Sequence, residues 1–394
     1  MVNKLIIEKG SSDLIESDDN NEEKIDFAEK YWKSATDNGC GKAQNNLGIL
    51  YYEIGKVDLA EQYLKLAADR GDTNAQCELG DFYRIAGKLK LAEKYYKLAA
   101  DSENYDVLNS ARNGLGDVYR EIEQLDLAKK YYKLSADSGD SLGQNELGHL
   151  YMREENMELA EHYYKLAADS GNTIARNNLG CLYMKQEKMD LAEYYWKLAI
   201  EDRNAKAHCS IGFLYRKQGK LDLAEHYWKI AADSGYALAQ YRLGTLYEGQ
   251  EQLDLAEKYY KLSVDSKIFF EQHAKLALGA FYEKQEQLDL AEHYYKLSSG
   301  ASNPYSQCSL GELYSEQGEF DLAELYYKLA ADTGYAVAQC GLGVVYENQG
   351  KFDLAEQYYK LAAAQGDKKA QGSLVLLYHR QGKEDLFWED FDKM

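Results

Sequence analysis

One phrase recurs through most of this chain, and a fixed period of that kind restricts the fold to an array of stacked units. DLAEHYWKIAADSG at 222–235 returns as DLAEQYLKLAADRG from Asp58, ELAEHYYKLAADSG from Glu158 and DLAELYYKLAADTG from Asp321, with further copies between them. A second phrase precedes each copy, as in AQNNLGILY from Ala43, ARNNLGCLY from Ala175 and AQYRLGTLY from Ala239. Units begin at Ala43, Ala75, Ala111, Gly143, Ala175, Ala207, Ala239, Ala274, Ser306, Ala338 and Ala370, spaced by 32 residues except for two steps of 36 and 35. The extra residues fall near 103–110 and 267–273. Three or four residues make about one helical turn, so the helix faces keep their register across these steps.

The spacing inside a unit predicts a helix, a short turn and a second helix. Ala175, Leu179, Leu182 and Tyr183 stand at i, i+4, i+7 and i+8, the apolar face of an amphipathic helix. The second phrase places Leu191, Ala192, Tyr195, Trp196, Leu198 and Ala199 on one side. Asp190 followed three residues later by Glu193 reads as a capping box, and Glu193 with Lys197 as a favourable i,i+4 pair. Gly139, Gly171, Gly235 and Gly334 fall where second helices need a left-handed closing residue. Gly180 and Ala192 are small at recurring positions; glycine weakens a helix, so its repeated use predicts a close approach between helices. The single proline, Pro304, suits helices joined by short turns. No unit can bury its Tyr- and Leu-rich faces alone, so neighbours must stack. The expected fold is all-α, an α-solenoid of helix–turn–helix units.

The pattern A-x-x-x-L-G-x-x-Y followed by D-x-A-x-x-Y-Y-K-x-A resembles the tetratricopeptide superfamily, and AQNNLG with YYKLAADRG resembles its Sel-one-like branch. The turn within a unit, EIGKVD at 53–58, has the shorter tetratricopeptide length, so the repeats look like a hybrid of the two. The resemblance covers residues 24–383. It implies a right-handed superhelix with first helices lining a concave surface, and adaptor work in which peptides or whole domains are bound. Along the chain we expect an acidic, disordered segment over 1–23, a half repeat over 24–42, ten tandem repeats over 43–369, and a partial repeat with a cap over 370–394. Two apolar features stay open. Ile268, Phe269 and Phe270 either repack a junction or form a docking knob, and the LFWEDF segment near the C-terminus is either a terminal cap or a linear motif.

The formal charge of −20, from 66 acidic and 46 basic side chains, opposes a nucleic-acid partner, which would need cations against its phosphates. Six cysteines in 394 residues do not make a disulfide framework and suit a reducing compartment. No apolar run reaches membrane-spanning length, and Leu5–Ile7 is too short a core for a secretory signal. A soluble, cytoplasmic protein is expected.

Function is sought on the other face of the first helices, where Asn177, Cys181, Met184 and Lys185 stand at i, i+4, i+7 and i+8. These slots vary between repeats while the packing slots do not. Asn113, Asn145 and Asn177 share one slot, and an asparagine can both donate to and accept from an extended peptide backbone. Near the helix ends lie Arg84, Arg120, Arg153, Lys185, Arg216 and Lys217, giving way to Glu248, Glu283, Glu312, Glu316 and Glu347 in later repeats. This reads as a basic groove for an acidic segment, with the opposite sign further along. The plainer reading is cations relieving helix dipoles.

Chemistry finds less support. His162, His226 and His293 share an outward slot with no second histidine in the adjacent repeat, and a metal needs several converging ligands. Cys77, Cys209, Cys308 and Cys340 share a slot, but no base or oxyanion group accompanies them. The expectation is a non-enzymatic protein-binding scaffold without metal or cofactor. The alternatives are a self-assembling structural protein and a hydrolase carried on a Sel-one-like scaffold.

Overall fold

Every full unit folds as its apolar periods dictate. The computed structural model describes residues 21–37, 41–202, 204–265, 271–299 and 303–383, and among these it contains 22 helices and no strand. First and second helices alternate, as in Thr173–Lys185 with Met189–Glu201 and Ala237–Gly249 with Leu253–Asp265. Each first helix packs on its own second helix, and each second helix on the first helix that follows, within two compact units, Met1–Asn204 and Ala205–Met394. The division falls between repeats whose 32-residue spacing is unbroken, so the sequence period does not announce it. Residues 1–20 of the acidic segment, the Ile268–Phe270 feature and the LFWEDF tail lie outside the described residues. The first described helix is Asn21–Asp37.

The core is a glycine facing a large side chain, ten times over. At Gly48, Gly80, Gly116, Gly148, Gly180, Gly212, Gly244, Gly279, Gly311 and Gly343, an added Cβ would lie under 3.0 Å from the side chain sixteen residues on. That side chain is Leu64 for Gly48, Tyr96 for Gly80, Trp196 for Gly180 and Trp228 for Gly212. The close approach expected from Gly180 is therefore real, and what approaches is the second helix's ring. Ala192 and its equivalents Ala160, Ala224 and Ala256 are fully buried beside it.

The helix ends differ from expectation. Asp190 does not cap Met189–Glu201: the N-cap residue is Lys188 and offers no side-chain bond, so Asp190 sits inside the first turn, where the helix dipole favours it. Asn156 caps the second helix Met157–Asp169 by accepting from the Leu159 N–H, but most of the side-chain caps lie on first helices. Asp72, Asp140, Asn172 and Asp367 accept from the N–H groups of Ala75, Gly143, Ala175 and Ala370. Leu191 is 42% exposed, so it belongs to the outward face and not to the buried side. Gly139, Gly171, Gly235 and Gly334 do take left-handed φ values of 86°, 84°, 81° and 87° after their second helices. The turn inside the repeat needs the same conformation. Gly55 and Gly87 supply it at no steric cost, whereas Glu123, Glu155, Glu187, Glu251 and Glu286 adopt φ of 57–62° there. For a residue with a Cβ this costs roughly 1–2 kcal/mol. Among the described residues no helix is long and apolar enough to cross a membrane.

Candidate protein-binding face

Two surfaces flank the core, and they are organised differently. On the outward side a glutamate of the second helix ties three groups together. Glu61 accepts from Lys65 at 2.6 Å and from the hydroxyl of Tyr83, in the next first helix, at 2.8 Å. Glu225 does the same with Lys229 and Tyr247, both at 2.7 Å, and Glu257 with Lys261 at 2.6 Å and Tyr282 at 2.7 Å. The i,i+4 pair is thus one half of a seam between consecutive repeats. Hydrogen bonds from the lysine, and then from the tyrosine, hold the Glu61, Glu225 and Glu257 carboxyls below the usual carboxylate range. Burial pushes the Tyr83, Tyr247 and Tyr282 hydroxyls up to about 12. One repeat departs: Lys129 takes the glutamate's slot, lies 4.4 Å over the Tyr151 ring and pairs with Glu154.

On the opposite side the tips of the buried rings meet the ends of the first helices, and they are satisfied in several ways. The hydroxyls of Tyr96 and Tyr132 donate to Asp81 and Asp117, each at 2.6 Å. Burial pushes the Asp81 carboxyl up. Trp196 and Trp228 donate instead to the backbone carbonyls of Asn177 and Cys209, at 3.2 and 3.0 Å. In the later repeats Tyr260, Tyr295 and Tyr359 donate to Glu248, Glu283 and Glu347, at 2.7, 2.6 and 2.8 Å.

These choices decide which cations are free. Arg84 pairs with Asp81 at 3.9 Å and Glu121 at 3.1 Å, and Arg120 with Asp117 at 2.7 Å and Glu146 at 2.8 Å. Both are counter-ions to the carboxylates around the tyrosine tips. In the next two repeats His149 and Cys181 stand at the slot of Asp81 and Asp117, and Met152 and Met184 at the slot of Arg84 and Arg120. One residue on, Arg153 and Lys185 are exposed with no ion pair among the described residues. Arg216 and Lys217, in the second unit, are likewise exposed, with no ion pair among the described residues.

The asparagines do not lie where the periodicity put them. Asn145 and Asn177 are buried, at 2% and 7% exposure, and the same slot holds buried Cys77, Cys209, Cys308 and Cys340. Asn145 donates to Glu146 and accepts from Asn178, both at 3.0 Å, while half-buried Asn113 donates to the capping Asp140 at 2.9 Å. Neighbouring first helices close over this slot, which a single-helix projection cannot show. Sequence reasoning missed the ring-tip acceptors. Their signal was present: an aspartate fifteen residues before Tyr96 and Tyr132 that becomes Cys181 before Trp196 and Phe213 before Trp228.

Burial pushes the Cys77, Cys209 and Cys308 thiols up to about 12, so they are protonated packing groups and poor nucleophiles. His162, His226 and His293 are exposed, each edge-on to the tyrosine that follows it. Among the described residues no group of three or more His, Cys, Asp and Glu is arranged to hold a metal ion.

Tetratricopeptide repeat family profiles match residues 22–75, 211–268 and 308–373, and, for a second profile of that description, 110–137 and 143–170. The chain belongs to the tetratricopeptide-repeat family. Its repeats superpose on the c5321 protective antigen of uropathogenic Escherichia coli, which displays an SLR fold, at 20% identity over 93% of this chain and 94% of that one, with a TM-score of 0.54. A Sel1 repeat protein from Oxalobacter formigenes aligns at 21% identity over 56% of this chain and 96% of its own, with a TM-score of 0.44. Yeast Tom70 aligns at 13% identity over 94% and 88%, with a TM-score of 0.43. The likeness to the antigen is one of fold. No curated protein matches the chain. Tetratricopeptide and Sel1-like repeats commonly mediate protein–protein interaction, and the scaffold is generally non-catalytic.

Proposed function

We propose that the protein is a non-enzymatic adaptor that holds an acidic protein segment against the first-helix face of its repeats. The observation that carries this reading is the pair Arg153 and Lys185. They occupy one slot in consecutive repeats of the first unit, exposed and without an ion pair among the described residues, on a face where Arg84 and Arg120 are consumed by the chain's own carboxylates. Arg216 and Lys217 offer the same chemistry in the second unit. The asparagine slot is left out of the binding surface because its residues pack between helices. A labelled Asp/Glu-rich peptide followed by fluorescence anisotropy tests the reading. Arg153→Glu with Lys185→Glu is expected to weaken it about tenfold, the equivalent of about 1.4 kcal/mol, with helicity unchanged. Unaltered binding would sink it.

A second reading, self-association through the second-helix face, is favoured by paired leucines that recur there. Leu159 and Leu166 are 38% and 39% exposed, and Leu255 and Leu262 are 37% and 40% exposed. Light scattering across a concentration series would register this as a mass above 44.9 kDa that Leu159→Lys with Leu255→Lys returns to the monomer value.

A further inference from the structure

In the second unit the later repeats carry carboxylates on the first-helix face, and two of these find a cation one repeat further on. Glu248 pairs with Lys284, and Glu347 with Arg380, each at 2.5 Å. The repeat beginning at Ser306 breaks this arrangement. Its helix Pro304–Glu316 places Glu312 and Glu316 one turn apart, both exposed, and the next first helix offers Val344 and Asn348 where a cation would be needed. Neither glutamate has a cation within ion-pair distance among the described residues. They repel one another and Glu283, whose carboxyl is pushed up first by burial and then by these two charges.

Beside them opens a cavity of 260 Å³ lined by Cys308, Glu312, Glu316, Tyr327, Val337 and Val344, among others. Its floor is apolar, and Val337 and Val344 are 47% and 38% exposed to it and to solvent. Asp367 and Lys369 also line it, so three carboxylates face one ammonium, and Asp367 is already engaged in capping Ala370. The second observation is Tyr327 itself. Its ring is 7% exposed, and its tip belongs to the series in which Tyr260, Tyr295 and Tyr359 each have a glutamate acceptor. Here the acceptor's slot holds Ser315, and the Tyr327 hydroxyl has no hydrogen-bond partner among the described residues. An apolar floor, two carboxylates without a cation among the described residues and the unused hydroxyl of a buried ring are what an extended segment with a basic side chain would complete.

We propose that this cavity receives an arginine or lysine of a partner segment. The cationic head lies between Glu312 and Glu316, the aliphatic stem lies over Val337, Val344 and the Tyr327 ring, and a backbone carbonyl of the segment accepts from the Tyr327 hydroxyl. The pairs Glu248–Lys284 and Glu347–Arg380 are the chain's own version of the same contact. The inference rests on the reading that first-helix faces bind protein segments, but it uses another repeat and the opposite charge.

The probe is a fluorescein-labelled Gly-Ser-Leu peptide carrying two arginines four residues apart, compared with its uncharged citrulline counterpart by anisotropy. The arginine peptide should bind about tenfold more tightly, and Glu312→Gln with Glu316→Gln should abolish that preference. Tyr327→Phe should weaken binding about threefold. Asp254→Asn with Asp289→Asn removes two exposed carboxylates from second helices of the same unit and should change nothing. Equal losses in the two double variants would mean that a diffuse negative field binds the peptide, which overturns the site. So would no preference for arginine over citrulline, or calcium alone binding with the same dependence on Glu312 and Glu316. The Arg153→Glu, Lys185→Glu protein should keep the arginine peptide, so a failure of the acidic-segment reading is seen separately.

Discussion

The outward seam and the inward ring tips join the same helices, yet one is written alike in nearly every repeat and the other in several ways. Along the seam a glutamate, a lysine and a tyrosine recur from Glu61–Lys65–Tyr83 to Glu257–Lys261–Tyr282. At the tips the acceptor is Asp81 for Tyr96, a backbone carbonyl for Trp196 and Glu248 for Tyr260. The difference teaches where the chain spends charge. Where a tyrosine tip takes an aspartate, that carboxylate recruits an arginine, so Arg84 and Arg120 are structural. A tryptophan tip uses a backbone carbonyl and recruits neither, and Lys185 and Arg216, in the repeats of Trp196 and Trp228, have no ion pair among the described residues. The acceptor at the ring tip decides whether the arginine at the Arg84 slot is consumed.

The comparison breaks most severely where the ring meets its glycine. Gly180→Ala would drive a Cβ into the Trp196 indole and displace its bond to Asn177, and overpacking of this kind costs about 1–3 kcal/mol. Gly48→Ala meets the rotatable aliphatic side chain of Leu64 instead of a rigid ring, so its thermal midpoint should fall less. Equal shifts in the two variants would mean that the ring is not what the glycine accommodates.

The seam should yield less. Glu225→Gln weakens two charge-assisted hydrogen bonds, with an expected loss of about 1 kcal/mol in urea titration. Its pH dependence has a definite sign. The Glu225 carboxyl is lowered in the folded protein, so its contribution is full above the ordinary carboxylate value and is lost as pH falls through the lowered one. The tyrosines work from the other end. The Tyr183 and Tyr247 hydroxyls are raised to about 12, so their contribution is full below the unfolded value near 10 and is lost as pH rises through about 12. Denaturation midpoints taken across pH should show both edges, and Glu225→Gln should flatten the acid one.

The smallest effect lies in the turns, which belong to neither surface. Glu155→Gly removes a left-handed residue that carries a Cβ, and a gain of about 0.5–1 kcal/mol is expected after the entropic cost of glycine. Glu123→Gly and Glu187→Gly should add to it, and no gain in the melting midpoint of the triple variant would show that the turn is unstrained.

The sequence carried the architecture because period, apolar spacing and glycine placement act locally and repeat. Gly180 announced its close approach, and Gly171 its left-handed turn, from position alone. Caps and charges were harder to read. Asp190 mimics a capping box because the motif is defined by spacing, while the helix start is set by the preceding turn. Asn145 and Asn177 lie on the far face of an isolated helix, but the next repeat covers that face. Arg84 and Arg153 look equivalent as letters but stand one residue apart in the repeat, and only the first has Asp81 and Glu121 within reach.

Uniform seams also make the repeat number a free parameter of the gene. Removing residues 306–337 would bring Tyr346 to Glu292, where Tyr314 now donates its hydroxyl, with every glycine still opposite its own ring. Where the spacing is 32, the chain could be shortened or lengthened by recombination in steps of 32 residues, and each step would change the order of charges on its first-helix face while keeping the glutamate–lysine–tyrosine seam.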